Sequence, residues 1–582
     1  MEQLLTLYIT AHSLLSDLQT PEGRQKAAVS LQSNGFGRAV LESYRSGAVV
    51  EESVLAAARD FFRREGIQTL GGLMPVQGGD FGKRVEGIEL RAPFFCYSDE
   101  ATVSALESEI RKLSRLFDQV VIDDAFLTSC RCQACEEGRA GRDWASFRRD
   151  LLCRVAQRWV RASHAENPKV RLTVKFPQYY DRYCRFGYDA ERFPDIFDAV
   201  WVGTETRDPT TLAYGYVQPY QGYVNGRWMR ACAGPKFEAA WFDYIDCDDQ
   251  LFYDQAVTTF LAAPEQVVVF CYGEGLFGGT KMERVRRALP ELERLREAAQ
   301  SPWGVHVIDP PNSDGNGDLF IMDDLGMMGI PCVPSTRLEA TMRNVIIPAQ
   351  GVADPGCATT LAEIIASGGT AIVTLNALER LTGSPETMDL FGYRPNDVAG
   401  GGALVESFEV NGQTYPAQHP FHVAGNLAPS HAEVLASARF YGVERGVMPV
   451  PLITVRRHPS GGQGVVWNIG TFKNDDFVIN EMLNVPVPTE WLTLPKEVVD
   501  EFRRTATGPL GFTMKAIPKV ALFLFAQHAV FVNYSPVLAH VETAGLKIAG
   551  GIPFSDSPGT TCTGANLTIA PHSYALVQIE HE

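Results

Sequence analysis

The residues best suited to chemistry stand close together in the first quarter of the chain. A short apolar run, Val120-Val121-Ile122, ends in two adjacent carboxylates, Asp123 and Asp124. A C-x-C-x2-C cluster, Cys130, Cys132 and Cys135, follows almost at once. Strands that deliver acids at their carboxyl ends are how a (β/α)8 barrel builds an active site. Closely spaced thiols are how a protein ties a segment down with zinc, and an all-cysteine site leaves no coordination position for substrate, so its role is structural. The competing account is a group of buried free cysteines. Cys153, Cys184, Cys232, Cys247 and Cys271 have no ligand spacing and read as core.

Acids recur where other apolar runs end: Glu42, Glu205, Asp243 and Glu274 join the Asp123–Asp124 pair, which makes an acidic pocket at one mouth. Cleaving a glycosidic bond needs two carboxylates across the sugar, one to protonate the leaving oxygen and one to attack or to activate water. Asp123, Asp124, Glu205 and Asp243 are the catalytic candidates, with Asp243 and Glu205 as rival partners for Asp124. The shorter reach of aspartate widens the gap between two such acids, which either demands a shifted sugar or leaves room for a water, the latter favouring inversion. Asp123 beside Asp124 could raise a carboxyl pKa, although strand alternation turns one of the two away from the mouth. Tyr44, Tyr179, Tyr180, Trp201, Trp241, Tyr244 and Tyr272 fall near strand ends, where flat rings can stack on sugars. The expected substrate-binding residues are Glu42, Tyr44, Lys175, Tyr179, Trp241, Tyr272 and Glu274. Lys175, late in its strand, is also where a Schiff-base aldolase or lyase would carry its lysine. A carbohydrate-binding barrel without catalysis is the non-enzyme alternative. Arg207 and His164 give no specific signal.

These residues need a scaffold, and the first 300 positions supply one. Eight apolar β-type runs, at 4–9, 38–41, 67–70, 120–122, 171–176, 199–202, 239–242 and 267–270, alternate with amphipathic helical stretches such as 52–64, 104–116 and 144–162. That pattern predicts an α/β fold with an N-terminal (β/α)8 TIM barrel over 1–300. Residues 301–513 read as βαβ units of an open sheet, similar to the flavodoxin-like or amidotransferase-like class. Neither Cys332 nor Cys357 stands on a Gly-flanked elbow, so that domain is expected to be non-catalytic. Residues 514–582 alternate β-type runs with Gly, Pro and Ser turns and predict a small β-sandwich.

This domain order, with the cysteine pattern, resembles glycoside hydrolase family 42, the bacterial β-galactosidases. Cys130, Cys132 and Cys135 match the family's trio, Cys96 in Phe94-Phe95-Cys96-Tyr97 stands where a fourth ligand should be, and Trp144 with Phe147-Arg148 resembles the following helix. The resemblance implies a structural zinc on four thiolates, the acid/base place for Asp124, and a homo-oligomer (dimer or trimer) assembled through the second domain. Two departures stand out: Asp123-Asp124 replaces the family's Asn-Glu, and the strand-seven run, Gly234 to Tyr244, has no Met-Glu nucleophile motif. An exo-acting glycoside hydrolase taking short oligosaccharides or glycosides is the expected activity, with no organic cofactor.

Bulk properties exclude other classes. The 582 residues carry 52 Lys and Arg against 69 Asp and Glu, a net charge of −17, which argues against a nucleic-acid partner. No run of about 18 apolar residues occurs, so no membrane partner is expected. The start, Met1-Glu2-Gln3-Leu4, lacks a basic, signal-like pattern, and twelve cysteines are too few for a disulfide scaffold; a cytoplasmic, reducing location is expected.

Overall fold

The computed structural model describes residues 4–87, 93–207, 218–395, 403–419, 421–423, 427–440, 449–476, 490–553 and 559–580. Two compact units part between Arg296 and Glu297.

In the first unit all eight expected strands form a closed parallel barrel: β1 (Leu5–Ile9), β2 (Phe36–Arg45), β3 (Gln68–Met74), β4 (Gln119–Ile122), β5 (Arg171–Phe176), β6 (Ala199–Gly203), β7 (Phe237–Asp243) and β8 (Gln266–Phe270). The β1–β2 pairing completes the ring. Period-2 alternation sends one set of side chains inward, and Tyr8, Val40, Leu70, Val121, Trp201, Ala239, Trp241 and Val268 fill the interior as a packed core. The outward set packs on amphipathic helices. Glu52–Arg64 buries Leu55, Ala58 and Phe62, a helical stripe. Glu100–Leu116 starts at Asp99, whose carboxylate accepts from Thr102 N, and Trp144–Glu166 starts at Asp143, which accepts from Ser146 N.

One strand runs longer than its apolar run suggested. β2 continues to Arg45, and its register against β3 shifts between Glu42 and Arg45. Such an irregularity re-aims side chains at a barrel rim, and here it lets Glu42 and Arg45 meet.

The second unit opens with five parallel strands in spatial order Cys332–Ser335, Val305–Ile308, Asn344–Ile347, Thr370–Thr374 and Gln463–Trp467. Numbered along the chain this is 2-1-3-4-5, the flavodoxin-like order. Antiparallel strands Val450–Arg457, Glu433–Phe440, Ala403–Val410 and Gln413–Pro416 extend it. Two four-stranded antiparallel sheets then enclose Met514, Leu522, Phe531, Val541, Ile569 and Val577. Among the described residues no helix is long and apolar enough to cross a membrane.

Candidate active site at the barrel mouth

Lys175 organises the mouth. It leaves β5 on the inward face, is 2% exposed, and donates to Asp124 Oδ2 at 2.7 Å and Glu205 Oε1 at 2.8 Å, with Asp123 Oδ1 at 3.6 Å. The Trp241 ring lies 4.1 Å from its Nζ, which adds a cation–π contact. One ammonium thus faces three carboxylates. It stays ionised, its pKa pushed up by Asp124, Glu205 and Asp123 against the opposing effect of burial. A Schiff-base lysine needs a depressed pKa and a free amine, so this environment is unsuited to the lyase reading.

The single ammonium cannot offset all three acids. Burial raises Asp123 to about 6, with Asp124 adding to the shift, and burial raises Glu205 to about 7, with Asp243 and Asp124 adding and Lys175 opposing. Strand alternation suggested that one acid of the pair turns away from the mouth, but both carboxylates face Lys175. β4 ends at Ile122, so the alternation lapses before the pair begins, and Asp123 Oδ1 accepts from Asp124 N at 2.8 Å. Asp124, at 24% side-chain exposure, is the reachable acid of the cluster.

Glu205 is held by the turn that follows β6. Thr204 donates through N and Oγ1 to Trp241 O, fixing the turn against β7. The Glu205 carboxyl folds back over Gly203, where an added Cβ would stand 2.2 Å from Oε2. That Oε2 is buried with no hydrogen-bond partner among the described residues.

Of the other expected acids, Asp243 and Glu42 are occupied. Asp243 has both oxygens gripped by Arg207, one bond at 3.1 Å, and Oδ1 also accepts from Ile245 N at 3.0 Å. Glu42 is fully buried, accepting from Tyr8 OH at 2.6 Å, Ala11 N at 2.7 Å and Arg45. Arg45 continues to Asp123 Oδ2 at 2.9 Å and so joins the two acids. Glu274 is exposed at the start of the short helix after β8, and its carboxylate joins no ion pair among the described residues.

The aromatics divide. Tyr179 is buried, and its hydroxyl has no hydrogen-bond partner among the described residues while it feels the charge of Asp124. Trp241 underlies Lys175 as described. Tyr44 stacks on Phe81 and donates to Val76 O. Tyr272 is buried, its backbone N donating to Tyr8 O. Trp201 does not line the mouth: it is wholly buried in the barrel interior and its indole donates to Glu238 at 2.8 Å. Tyr8, Arg45 and Arg207 are the members that sequence reasoning missed. An arginine three residues after Glu42, at the end of a long strand, was the one available signal for Arg45.

Beside the site, Cys96, Cys130, Cys132 and Cys135 bring their sulfurs within 4.8 Å of one another. Three of the separations are 3.7–3.8 Å. A tetrahedron with Zn–S bonds of about 2.3 Å has edges of about 3.8 Å, so the cage fits zinc. Glu86 N donates to Cys130 Sγ, and Ser98 Oγ lies 3.2 Å from Cys135 Sγ, contacts that suit thiolates. Arg148, stacked on Trp144, donates to Ser129 O and Arg185 O and pins the same loop from the other side.

Residues 2–289 match a family model described as "Probable glycosyl hydrolase, catalytic domain". An uncharacterised protein of Saccharolobus solfataricus is 21% identical over 363 residues, 56% of this chain, and the chain spans 59% of that relative's length. A catalytic mutant of a GH42 β-galactosidase from G. stearothermophilus superposes with a TM-score of 0.65 at 11% identity, over 100% of this chain and 98% of that one. The β-galactosidase of Rahnella sp. R3 gives 0.64 at 13% identity, over 99% and 98%. At these identities the likeness is one of fold, and it runs the length of the chain. Residues 2–289 therefore match a probable glycosyl hydrolase catalytic domain and take the fold of a GH42-like barrel.

Proposed function

We propose that the protein is an exo-acting glycosidase taking short oligosaccharides or glycosides, with Asp124 at the reacting centre. The observation that carries this reading is the cluster at the carboxyl ends of β4, β5 and β6: one reachable carboxylate, Asp124, among buried partners gathered by Lys175. Such an arrangement suits a pocket that admits the end of a sugar chain rather than a groove that follows it. Tyr179, with an uncommitted hydroxyl, is suited to hold a sugar hydroxyl.

A structural zinc on Cys96, Cys130, Cys132 and Cys135 belongs to the same proposal; the supporting observation is the near-tetrahedral sulfur spacing. Bound there, zinc would anchor the loop after Asp124 and take no part in the reaction. Among the described residues no disulfide joins the cysteines, which supports a reducing, cytoplasmic setting.

The test is a screen of aryl glycosides covering α and β hexosides, pentosides and uronides. At least one should be cleaved, and Asp124→Asn should slow that turnover by about 10²–10⁴. Saturable sugar binding with no cleavage would instead make this a carbohydrate-binding barrel. Unchanged turnover in Asp124→Asn would remove Asp124 from the reacting centre.

A further inference from the structure

The underside of the barrel carries charge that the mouth does not use. Side chains alternate along a strand, so the inward positions of Val40, Leu70 and Val121 step down by two residues to Arg38, Gln68 and Gln119. On β5 the inward face that ends in Lys175 begins at Arg171. Barrel interiors are filled mainly by branched apolar residues, yet this lowest layer holds two guanidinium groups. A third, Arg63, reaches in from the last turn of the helix Glu52–Arg64. Arg38, Arg63 and Arg171, with Gln68, Thr69 and Asp118, line a cavity of about 550 Å³ at the amino ends of β2 to β5.

The resident acids do not use up these cations. Glu238, a buried carboxylate of β7, accepts from Arg171 Nη1 at 2.9 Å, Gln119 Nε2 at 2.6 Å and Trp201 Nε1 at 2.8 Å, so it is spent. Arg38 has one bond, from Nη2 to Gln119 Oε1 at 3.2 Å, and no ion pair among the described residues. Its Nε is buried and has no hydrogen-bond partner there. Burial lowers the pKa of Arg38, Glu238 opposes the shift, and the like charge of Arg171 adds to it. Gln119 can offer no more, because its amide nitrogen is divided between Thr173 and Glu238. At the rim Arg63 donates to Thr69 Oγ1, which leaves the Thr69 hydroxyl hydrogen to give away. The Arg63 pairing with Asp118 is loose, 3.7 Å to a carboxylate 84% exposed. Three cations against Glu238 and Asp118 leave a positive excess, on a chain whose net charge is −17.

We propose that this cavity binds a phosphoryl group, free or on a small ester, between the guanidinium groups of Arg38, Arg63 and Arg171. The planar fork of arginine matches phosphate oxygens, and a tetrahedral dianion offers three forks more oxygens than a carboxylate does. The volume lies within the range of small-molecule sites, roughly 300–1,000 Å³. Arg171 precedes Lys175 by four residues, about 13 Å along a strand, so the site is separate from the carbohydrate pocket and depends on no reading of the reaction. The amino-terminal face of such a barrel ordinarily serves stability. A ligand here would bridge the starts of β2, β4 and β5, so its occupancy should register as resistance to unfolding.

The experiment uses the full chain in a buffer free of phosphate and sulfate. Inorganic phosphate and a sugar monophosphate are the probes, with chloride at matched ionic strength as the control. Isothermal calorimetry should show one saturable site per chain for at least one probe, and the melting temperature should climb by about 2–5 °C as that probe rises past its Kd. Tighter binding of inorganic phosphate would identify the free anion as the ligand, and tighter binding of the monoester a phosphorylated molecule. Arg38→Met keeps the aliphatic stem, removes the charge and should weaken binding by about 10-fold or more. Arg63→Gln changes a side chain 43% exposed, where folding is not at stake, and should weaken it by about 3–10-fold. Asp118→Asn removes a competing carboxylate from the rim and should tighten binding by about 3-fold. No saturable heat with either probe, or weaker binding by Asp118→Asn, would overturn the proposal. So would an equal melting shift in wild type and both arginine variants, which is what phosphate produces as an excluded salt without a site.

Discussion

A methyl group at position 203 tests how Glu205 is held. The Cβ of Gly203→Ala would stand 2.2 Å from Oε2 and 3.3 Å from Gln178 N, so the carboxyl must turn while the neighbouring backbone need give only slightly. Displacement of about 1 Å at a reacting group can cost about 10² in rate. Gly203→Ala should therefore lower kcat by roughly that factor with little change in melting temperature, as measured by steady-state kinetics beside a thermal melt; unaltered kcat would show that the carboxyl position does not matter. The raised pKa of Glu205 predicts a pH dependence as well. A general acid works only while protonated, so with Glu205 in that role turnover should decline as pH rises through about 7. For an ordinary glutamate the decline would come near 4.5. A kcat/KM profile with its alkaline limb down at that lower value would contradict the burial argument. Lys175 carries the reciprocal lesson. Its late-strand place suggested a Schiff base, but the number of acids around it decides its chemistry, and the sequence does not say which of them it meets.

At the scale of elements, the loop from Ser129 to Cys135 is tied to the barrel by four sulfurs and by Arg148. Cys132→Ser should lose zinc and lower the melting temperature together, by roughly 5–10 °C, because metal-binding free energy is folding free energy. Elemental analysis and a melt on the same sample check this, and a variant with full zinc or an unchanged melt would refute it. The strands themselves were legible because each is an apolar run bounded by polar residues or Gly. The cysteine cage was legible because three of its ligands are neighbours. Arg45 and Tyr8 were not, because each acts on Glu42 and a strand irregularity brings Arg45 there. The common facing of Asp123 and Asp124 was missed for a related reason: alternation rules hold only inside the strand, and β4 stops before the pair. Trp201 was misplaced because proximity to a strand end does not say whether a ring points along the interior or out of the mouth.

At the scale of the molecule, barrel, 2-1-3-4-5 sheet and sandwich follow one another in the order the sequence suggested. The structural likeness extends over the whole chain, which places the second unit within the same architecture rather than as an unrelated appendage. We propose, from that resemblance, that the open-sheet domain mediates a homo-oligomer. Light scattering at micromolar concentration should give a multiple of 64.0 kDa, and a mass of a single chain would dispose of the idea.

The shared ammonium bears on inhibitor choice. Protonated azasugars imitate the positive charge of an oxocarbenium-like transition state and gain affinity from unneutralised carboxylates. At this mouth Lys175 already occupies one oxygen each of Asp124 and Glu205, so an azasugar nitrogen must share those acids with a resident cation and gains less from them than at a site whose carboxylates are free. Planar, uncharged lactone mimics do not enter that competition and should lose the least ground to azasugars here, an order of preference set by one buried lysine.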